Sequence, residues 1–206
     1  MKVVVFGASG GTGREIVAQA LDRGYKVTAF IHVTRAFEDD DRVQKVQGDV
    51  LNAEDVKKGV SGQDAVLSAL GRGASKIPAT SAGTRNVIDE MQKAGIKRLI
   101  VESAFGAGDS ARQISIPDRL VVRGLVLRKG FQAKDRMEED IEKSGLKWTI
   151  VRPPRLTNGP RRGHYRAGER IPLNIASGIS RADVADFMLN QVEGEEFVGK
   201  KPSIGY

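Results

Sequence analysis

The chain has 206 residues, no cysteine, two histidines and a formal net charge of +7. This length suits one domain with its own core. The lack of cysteine excludes disulfides, thiolate catalysis and cysteine-ligated metals, and two histidines are too few for a histidine-rich metal site, so we expect no metal. There is no long apolar run and no signal-peptide pattern, so we expect a cytoplasmic protein that does not span a membrane. The positive charge favours anionic ligands, whereas no basic, aromatic-interleaved helix indicates nucleic-acid binding.

The N-terminal residues predict a strand, a glycine turn and a helix. Residues 3–6 form a short β-branched and aromatic run, which is typical of a strand buried on both faces. Gly7, Gly10 and Gly13 then allow a phosphate to approach the backbone N–H groups at the start of the next helix. A plain tight turn is the alternative. The helical pattern that follows and a second apolar strand over residues 27–31 favour a dinucleotide-binding unit.

Further along, apolar runs that indicate strands alternate with helical patterns. The predicted strands are residues 43–46, 65–70, 99–101 and 148–151, and the predicted helices are residues 54–60, 82–94 and 134–143. This alternation predicts an α/β fold, a doubly wound parallel sheet of the Rossmann type, in a single domain over residues 1–206. We expect the ligand at the carboxyl ends of the strands. On the last helix we expect a solvated face formed by Glu138, Glu139, Asp140, Glu142 and Lys143.

Two segments interrupt the alternation. Residues 105–130 are long for a connection, which is typical of a lid, although a surface helix packed on the body explains them equally well. Residues 152–172 carry six arginines and follow the carboxyl end of a strand. They are either a solvated basic loop or a substrate-side loop, because guanidinium groups suit carboxylates and phosphates.

Several motifs resemble those of the atypical short-chain dehydrogenase/reductases. They are the glycine motif, Gly48-Asp49-Val50, Gln63-Asp64-Ala65-Val66 and Val151-Arg152-Pro153-Pro154. The likeness spans nearly the whole chain and includes Ser103-Ala104-Phe105, Ser180-x-x-Asp183-Val-Ala185 and a short C-terminal strand ending at Tyr206. Within this superfamily, the chain resembles the branch of the NADPH-dependent flavin reductase/biliverdin-IXβ reductases.

The resemblance implies a set of cofactor contacts. The pyrophosphate would be held by Gly7, Ser9, Gly10, Gly11, Thr12 and Gly13. The adenine would lie beside Asp49 and Val50, and the middle of the cofactor along Leu70, Gly71 and Arg72. Ser103 would lie near the nicotinamide, and the backbone of Pro153 and Pro154 would face its carboxamide.

The chain departs from the superfamily pattern at the proton donor. Short-chain dehydrogenases use Tyr-x-x-x-Lys, and here Lys134 fits the lysine while Gly130 stands where the tyrosine is expected. We therefore predict Ser103 and Lys134 as the catalytic pair, with Lys134 bonding the nicotinamide ribose or orienting a proton-donating water. Related reductases can carry a histidine near position 155. Arg155 at that position argues against tetrapyrrole chemistry.

The end of the second strand predicts the choice of cofactor. NAD-binding proteins usually place an acidic residue there, whereas a basic residue suits the phosphate of NADP. Here His32 and Arg35 follow the strand, no acidic residue occurs before Glu38, and Arg14 is a further basic candidate. The sequence therefore predicts NADP(H) in preference to NAD(H).

These observations lead to three function hypotheses. The first is an NADPH-dependent reductase that transfers a hydride to an electron-poor ring such as a flavin or quinone. Its small-molecule substrate would be anionic or aromatic and contact Phe105, Arg155, Arg161 and Tyr165. The second is a non-catalytic NADP(H) sensor that reports to a partner protein, and the third is a sugar-nucleotide epimerase. We expect a monomer or a homodimer.

Overall fold

The structure, a computed structural model, describes residues 1–32, 40–71, 79–119, 128–174 and 176–206. Six strands form the central sheet: β1 (Lys2–Phe6), β2 (Lys26–Ile31), β3 (Val43–Gln47), β4 (Ala65–Ser68), β5 (Arg98–Glu102) and β6 (Lys147–Val151). All are parallel, in the order β3-β2-β1-β4-β5-β6. The order reverses between β1 and β4, so a crevice opens beside their carboxyl ends.

The helices cover both faces of this sheet. They are α1 (Gly11–Asp22), α2 (Ala53–Val60), α3 (Thr84–Ala94), α4 (Ile116–Arg119), α5 (Arg128–Glu142) and α6 (Arg181–Glu193). On one face α1 packs against α6, and on the other lie α2, α3 and α5. Alternate residues of β1 supply the two cores, with Val3 and Val5 in one and Val4 and Phe6 in the other. The continuous apolar run of β1 therefore reflects burial on both faces.

The predicted single-domain, doubly wound parallel sheet is confirmed. Some boundaries differ, because β4 ends at Ser68 rather than at residue 70, and α5 begins at Arg128 rather than at Lys134. No helix is predicted from the sequence at the position of α6. Its buried residues are spread around the helix, so it lacks the one-sided apolar stripe by which surface helices are recognised.

Two small sheets adjoin the main sheet, and two of their strands lie in the arginine-rich residues 152–172, here called the basic segment. They are built from β7 (Arg155–Thr157), β8 (Arg166–Gly168), β9 (Gly178–Ser180) and β10 (Ser203–Gly205). β7 pairs with β9 in parallel, and β8 pairs with the C-terminal β10 in antiparallel fashion. Residues 152–172 are therefore partly strand and not a continuous loop.

The predicted lid lies partly outside the described residues. Within it, a 3₁₀ helix spans Gly108–Gln113 and α4 follows, while residues 120–127 are not described. Of the helices in the described ranges, none is long and apolar enough to cross a membrane.

Candidate active site

The glycine turn joins β1 to α1 with almost no space for side chains. Gly7 has a φ of +77°, and a Cβ there would lie 2.6 Å from the carbonyl oxygen of Ala69. A Cβ on Gly13 would collide with the carbonyl oxygen of Gly7. These two glycines therefore allow β1, β4 and the first turn of α1 to meet closely. The N-cap residue is Gly10, so no side chain caps the first N–H groups of α1.

A cavity of about 630 Å³ runs from this turn across the carboxyl ends of the strands. Thirteen of the predicted site residues line it: Gly7, Ser9, Gly10, Gly11, Thr12, Leu70, Gly71, Ser103, Phe105, Lys134, Pro153, Pro154 and Arg155. They come from loops far apart in sequence, which the parallel sheet brings to one edge. Backbone hydrogen bonds join two of these loops, since Ser103 N–H donates to Val151 at 2.7 Å and Phe105 N–H donates to Pro153 at 2.8 Å.

Behind the cavity wall, Ser103 is bonded to a buried ion pair. Its hydroxyl donates to Oε1 of Glu138 at 2.5 Å, and Nε and Nη2 of Arg152 donate to Oε1 and Oε2 of Glu138 at 3.1 and 2.5 Å. Glu138 and Arg152 are each 1% exposed. The expectation that Glu138 belongs to a solvated helix face is therefore wrong. The face of α5 that carries it turns inward, with Met137 and Ile141 in the core.

Glu102 is a second buried carboxyl group, and it lines the cavity directly. Burial raises the pKa of Glu102, while the charges of Lys134 and Arg181 and a hydrogen bond from Thr12 oppose that rise. The ammonium group of Lys134 also lies 3.4 Å from the main-chain oxygen of Glu102. Lys134 therefore reaches the carboxyl end of β5, beside Ser103.

Arg181, which the sequence analysis did not single out, crosses the glycine turn from the start of α6. Its Cδ and Nε would lie 2.6 and 2.7 Å from a Cβ on Gly11. Nη1 donates to Oδ1 of Asn158 at 2.5 Å, so the guanidinium is held at the cavity. A positive charge therefore faces the N-terminus of α1, and both favour an anionic group between them. The only sequence signal was its place one residue after Ser180 in the Ser180-x-x-Asp183 motif.

The opposite end of the cavity is apolar. Phe105 and Ile114 belong to a small apolar cluster with Leu173, and Phe131 of α5 also lines the cavity. Phe105, Ile114 and Phe131 are each 6–7% exposed. This wall suits a flat, apolar ring, and the glycine turn at the other end suits phosphates.

Other predicted residues lie elsewhere. Asp49 and Val50 do not line the cavity. The side chain of Val50 packs against Gly83, and Asp49 accepts a hydrogen bond from Leu51 N–H at 2.9 Å. Gly13 does not line the cavity either, and its lack of a side chain leaves room for the backbone of Gly7. Arg14 and His32 are exposed and also do not line the cavity. Arg35 and Arg72 lie outside the described residues.

Arg161 and Tyr165 were predicted as substrate contacts, but both side chains contact Asp186 of α6. Tyr165 donates to Asp186 at 2.8 Å, and Nη1 of Arg161 is 3.3 Å from the same carboxylate. Burial and the hydrogen bond to Asp186 raise the pKa of the Tyr165 phenol. The ring of Tyr165 also packs edge-on against Phe187. Both side chains therefore have structural partners away from the cavity, and the structure does not support their prediction as substrate contacts.

Comparison with known proteins agrees with this geometry. A family model described as NAD(P)H-binding matches residues 7–195. The chain belongs to this family. An uncharacterised chloroplast protein of Arabidopsis thaliana is 37% identical over 95% of this chain and 73% of its own length.

Two solved structures share the fold of this NAD(P)H-binding protein over nearly its whole length. The oxidoreductase ylbE of Lactococcus lactis is 22% identical with a TM-score of 0.86, covering 100% of this chain and 90% of its own. The anaerobilin reductase ChuY of Escherichia coli O157:H7 is 25% identical with a TM-score of 0.83, covering 99% and 96%.

Proposed function

We propose that this protein is an NADPH-dependent reductase that transfers a hydride to an electron-poor ring such as a flavin or quinone. One observation carries the proposal. A single cavity joins a phosphate-accepting glycine turn to Ser103, Lys134 and an apolar wall, at the carboxyl edge of the sheet. A dinucleotide and a flat acceptor would therefore meet in one space.

The residues present fit the dinucleotide. At Gly7 and Gly13 a Cβ would fill the space that the turn needs, and Gly10 has no side chain to cover the N–H groups of α1. These N–H groups and the guanidinium of Arg181 would hold the pyrophosphate. Lys134 would bond the nicotinamide ribose. When bound, the reduced nicotinamide supplies the hydride.

The cavity has no tyrosine phenol, and this restricts the chemical class of the hydride acceptor. The structure describes all three tyrosines, Tyr25, Tyr165 and Tyr206, and none of them lines the cavity. A simple carbonyl substrate would lack the usual proton donor. A flavin or quinone can take its proton from water after hydride transfer, and the apolar wall would orient the ring.

The preference for NADP(H) rests on the end of β2. His32 follows this strand directly and is exposed, and no acidic residue occurs between the end of β2 and Glu38 in the sequence. Neither His32 nor Arg35 would repel the 2′-phosphate of NADP, whereas NAD-binding proteins use a carboxylate there. We expect tighter binding of NADPH than of NADH, and equal or tighter binding of NADH would contradict this part of the proposal.

The missing phenol also supports the second function, a sensor that binds NADP(H) without turning it over. One experiment separates the two. Purified protein is mixed with NADPH and flavin mononucleotide without oxygen, and the loss of NADPH absorbance is followed. A reductase gives turnover above the rate without protein, and Ser103→Ala lowers kcat/KM while changing NADPH affinity little. Tight NADPH binding without turnover would identify the sensor.

A further inference from the structure

We propose that Glu138 is a positioning residue that holds the hydroxyl of Ser103 as a hydrogen-bond acceptor toward the cavity. The site would then favour a ring acceptor that presents an N–H or O–H donor at Ser103. This inference rests on the proposed function, because it takes the cavity as the place where the acceptor binds.

The direction of the Ser103 hydrogen bond follows from its partner. The oxygen of Glu138 lies 2.5 Å from Oγ of Ser103, and its carboxylate faces the guanidinium of Arg152 through two contacts. A carboxylate opposite a guanidinium accepts hydrogen bonds and has none to donate. The one hydroxyl proton of Ser103 is therefore committed to Glu138, and only oxygen lone pairs remain for a ligand.

The ion pair between Glu138 and Arg152 is also held in place by the 3₁₀ helix that begins at Gly108. A Cβ on Gly108 would lie 2.5 Å from Oε2 of Glu138 and 2.7 Å from Nη2 of Arg152. The 3₁₀ helix thus lies directly against the pair. Its next residue, Asp109, accepts from Nη2 of Arg152 at 2.7 Å and pairs with Lys201 at 2.8 Å. Glu138 consequently has little freedom to release Ser103.

This arrangement sets the chemistry of Ser103. With its proton committed to an ionised carboxylate, Ser103 does not supply the proton that follows hydride transfer. It instead selects by hydrogen bonding, because a buried acceptor left without a donor costs free energy. An oxidised flavin offers an imide N–H beside its carbonyl groups, whereas a simple quinone offers carbonyl oxygens only. Ser103 would therefore favour the flavin over the quinone.

The substitution Glu138→Gln tests this by reversing the hydrogen bond. The closer donor of Arg152, Nη2, requires the amide oxygen at the position of Oε2, so the amide N–H₂ takes the position of Oε1 beside Ser103. This gives up only the longer contact with Nε of Arg152, and the hydroxyl proton of Ser103 is released toward the cavity. Arg152 keeps Asp109 as an ionised partner, which supports folding of the variant. The measured quantity is the ratio of kcat/KM for riboflavin to kcat/KM for menadione with saturating NADPH. We expect this ratio to fall roughly tenfold, the size of one buried hydrogen bond.

Two further variants separate positioning from a structural role. Glu139→Gln changes the neighbouring, exposed carboxylate on the same helix and should leave the ratio unchanged. Ser103→Ala does not touch Arg152 and should lower the ratio as Glu138→Gln does, and the double variant should show no further fall. This keeps the test valid if Glu138→Gln folds poorly.

The outcomes distinguish this inference from the function on which it rests. If the wild-type protein oxidises NADPH but Glu138→Gln or Ser103→Ala lowers both acceptors equally, Glu138 is structural and the inference is overturned. If the wild-type protein oxidises NADPH with neither acceptor, the proposed function fails and the inference fails with it.

Discussion

At the scale of single residues, the glycine turn is the feature most sensitive to substitution. In Gly13→Ala the new Cβ would meet the backbone of Gly7 and Ala8, which cannot move without displacing β1. We expect a loss of about 1–3 kcal/mol in unfolding free energy, typical of overpacking, and loss of measurable NADPH binding. Chemical denaturation and NADPH titration measure the two effects.

The matched control is Gly159→Ala, where the nearest atoms would be 3.9 Å from the added Cβ. It should change stability by less than about 0.5 kcal/mol. Normal NADPH affinity in Gly13→Ala would show that the turn does not hold the pyrophosphate.

Arg181 provides a test of where the phosphates lie. Because its side chain crosses Gly11 and not the end of β2, Arg181→Gln should weaken NADPH and NADH by similar factors, roughly tenfold for one charge-assisted hydrogen bond. Arg161→Gln removes an exposed guanidinium that pairs with Asp186 and should leave both affinities unchanged. Isothermal titration measures each value. A loss confined to NADPH would instead place Arg181 at the 2′-phosphate.

The sequence could predict those site residues that follow a strand. Ser103 and Pro153 each come two residues after an apolar run, at the strand ends where ligands bind, and the family resemblance implied a place for both beside the nicotinamide. Glu138 could not be found this way. It lies among charged residues on a helix, and only the register of α5 against Arg152 shows that it turns inward. Arg181 likewise depends on how α6 packs over α1.

At the scale of elements, α6 is held by a buried carboxylate at its first turn. Asp183 accepts hydrogen bonds from Tyr206 at 2.5 Å, from Ser180 at 2.8 Å and from the N–H groups of Arg162 and Gly163 at 2.9 and 2.8 Å. Burial alone would raise the pKa of Asp183, but these hydrogen bonds outweigh it and lower the pKa below its ordinary value. The side chain therefore joins α6 to the basic segment and the C-terminus.

This lowered pKa predicts acid sensitivity. The unfolded chain binds the proton more tightly than the native state. The stabilisation is therefore present above the unfolded pKa of about 3.9 and is lost as pH falls toward the lower folded pKa. Asp183→Asn should lower Tm at neutral pH and show a shallower further fall below about pH 4. Thermal melts across this range measure both, and Asp89→Asn, on an exposed aspartate, should follow the wild type. An acid response in Asp183→Asn as steep as in the wild type would contradict the assignment.

Element prediction succeeded where the pattern was one-sided or continuous. The apolar runs of β1 and β2 and the apolar stripe of α3 were visible in the sequence because each buries a defined face. For the basic segment, residues 152–172, the composition did not show in which direction each arginine side chain points. Arg162 stacks 4.3 Å over the ring of Tyr206, and Arg166 donates to its main-chain oxygen at 2.6 Å. Only the pairing of β8 with β10 reveals these partners.

At the scale of the whole molecule, fewer arginines of the basic segment line the cavity than the sequence indicated. Of the arginines predicted beside the substrate, Arg155 lines the cavity and Arg161 is paired with Asp186. Flavin mononucleotide should therefore exceed riboflavin in kcat/KM only modestly, by Coulombic attraction to Arg155. The advantage should shrink with salt, because the Debye length falls from about 10 Å at 0.1 M to about 3 Å at 1 M.

Arg155→Gln should abolish this advantage, and Arg161→Gln should preserve it. Steady-state kinetics with both flavins at low and high salt measure the effect. An advantage that survives in Arg155→Gln would mean that another cationic group contacts the phosphate.

The proposed function requires that NADPH and a ring acceptor meet in the one cavity at the carboxyl edge of the sheet. The most direct measurement uses NADPH that carries deuterium on one or the other face of the nicotinamide ring, oxidised by the protein with flavin mononucleotide. Because a cofactor held in this cavity exposes one face to the apolar wall, one labelled form should lose its deuterium completely and the other should keep it, as read by mass spectrometry of the NADP⁺ formed. Partial loss from both forms, or no oxidation beyond that without protein, would contradict the account.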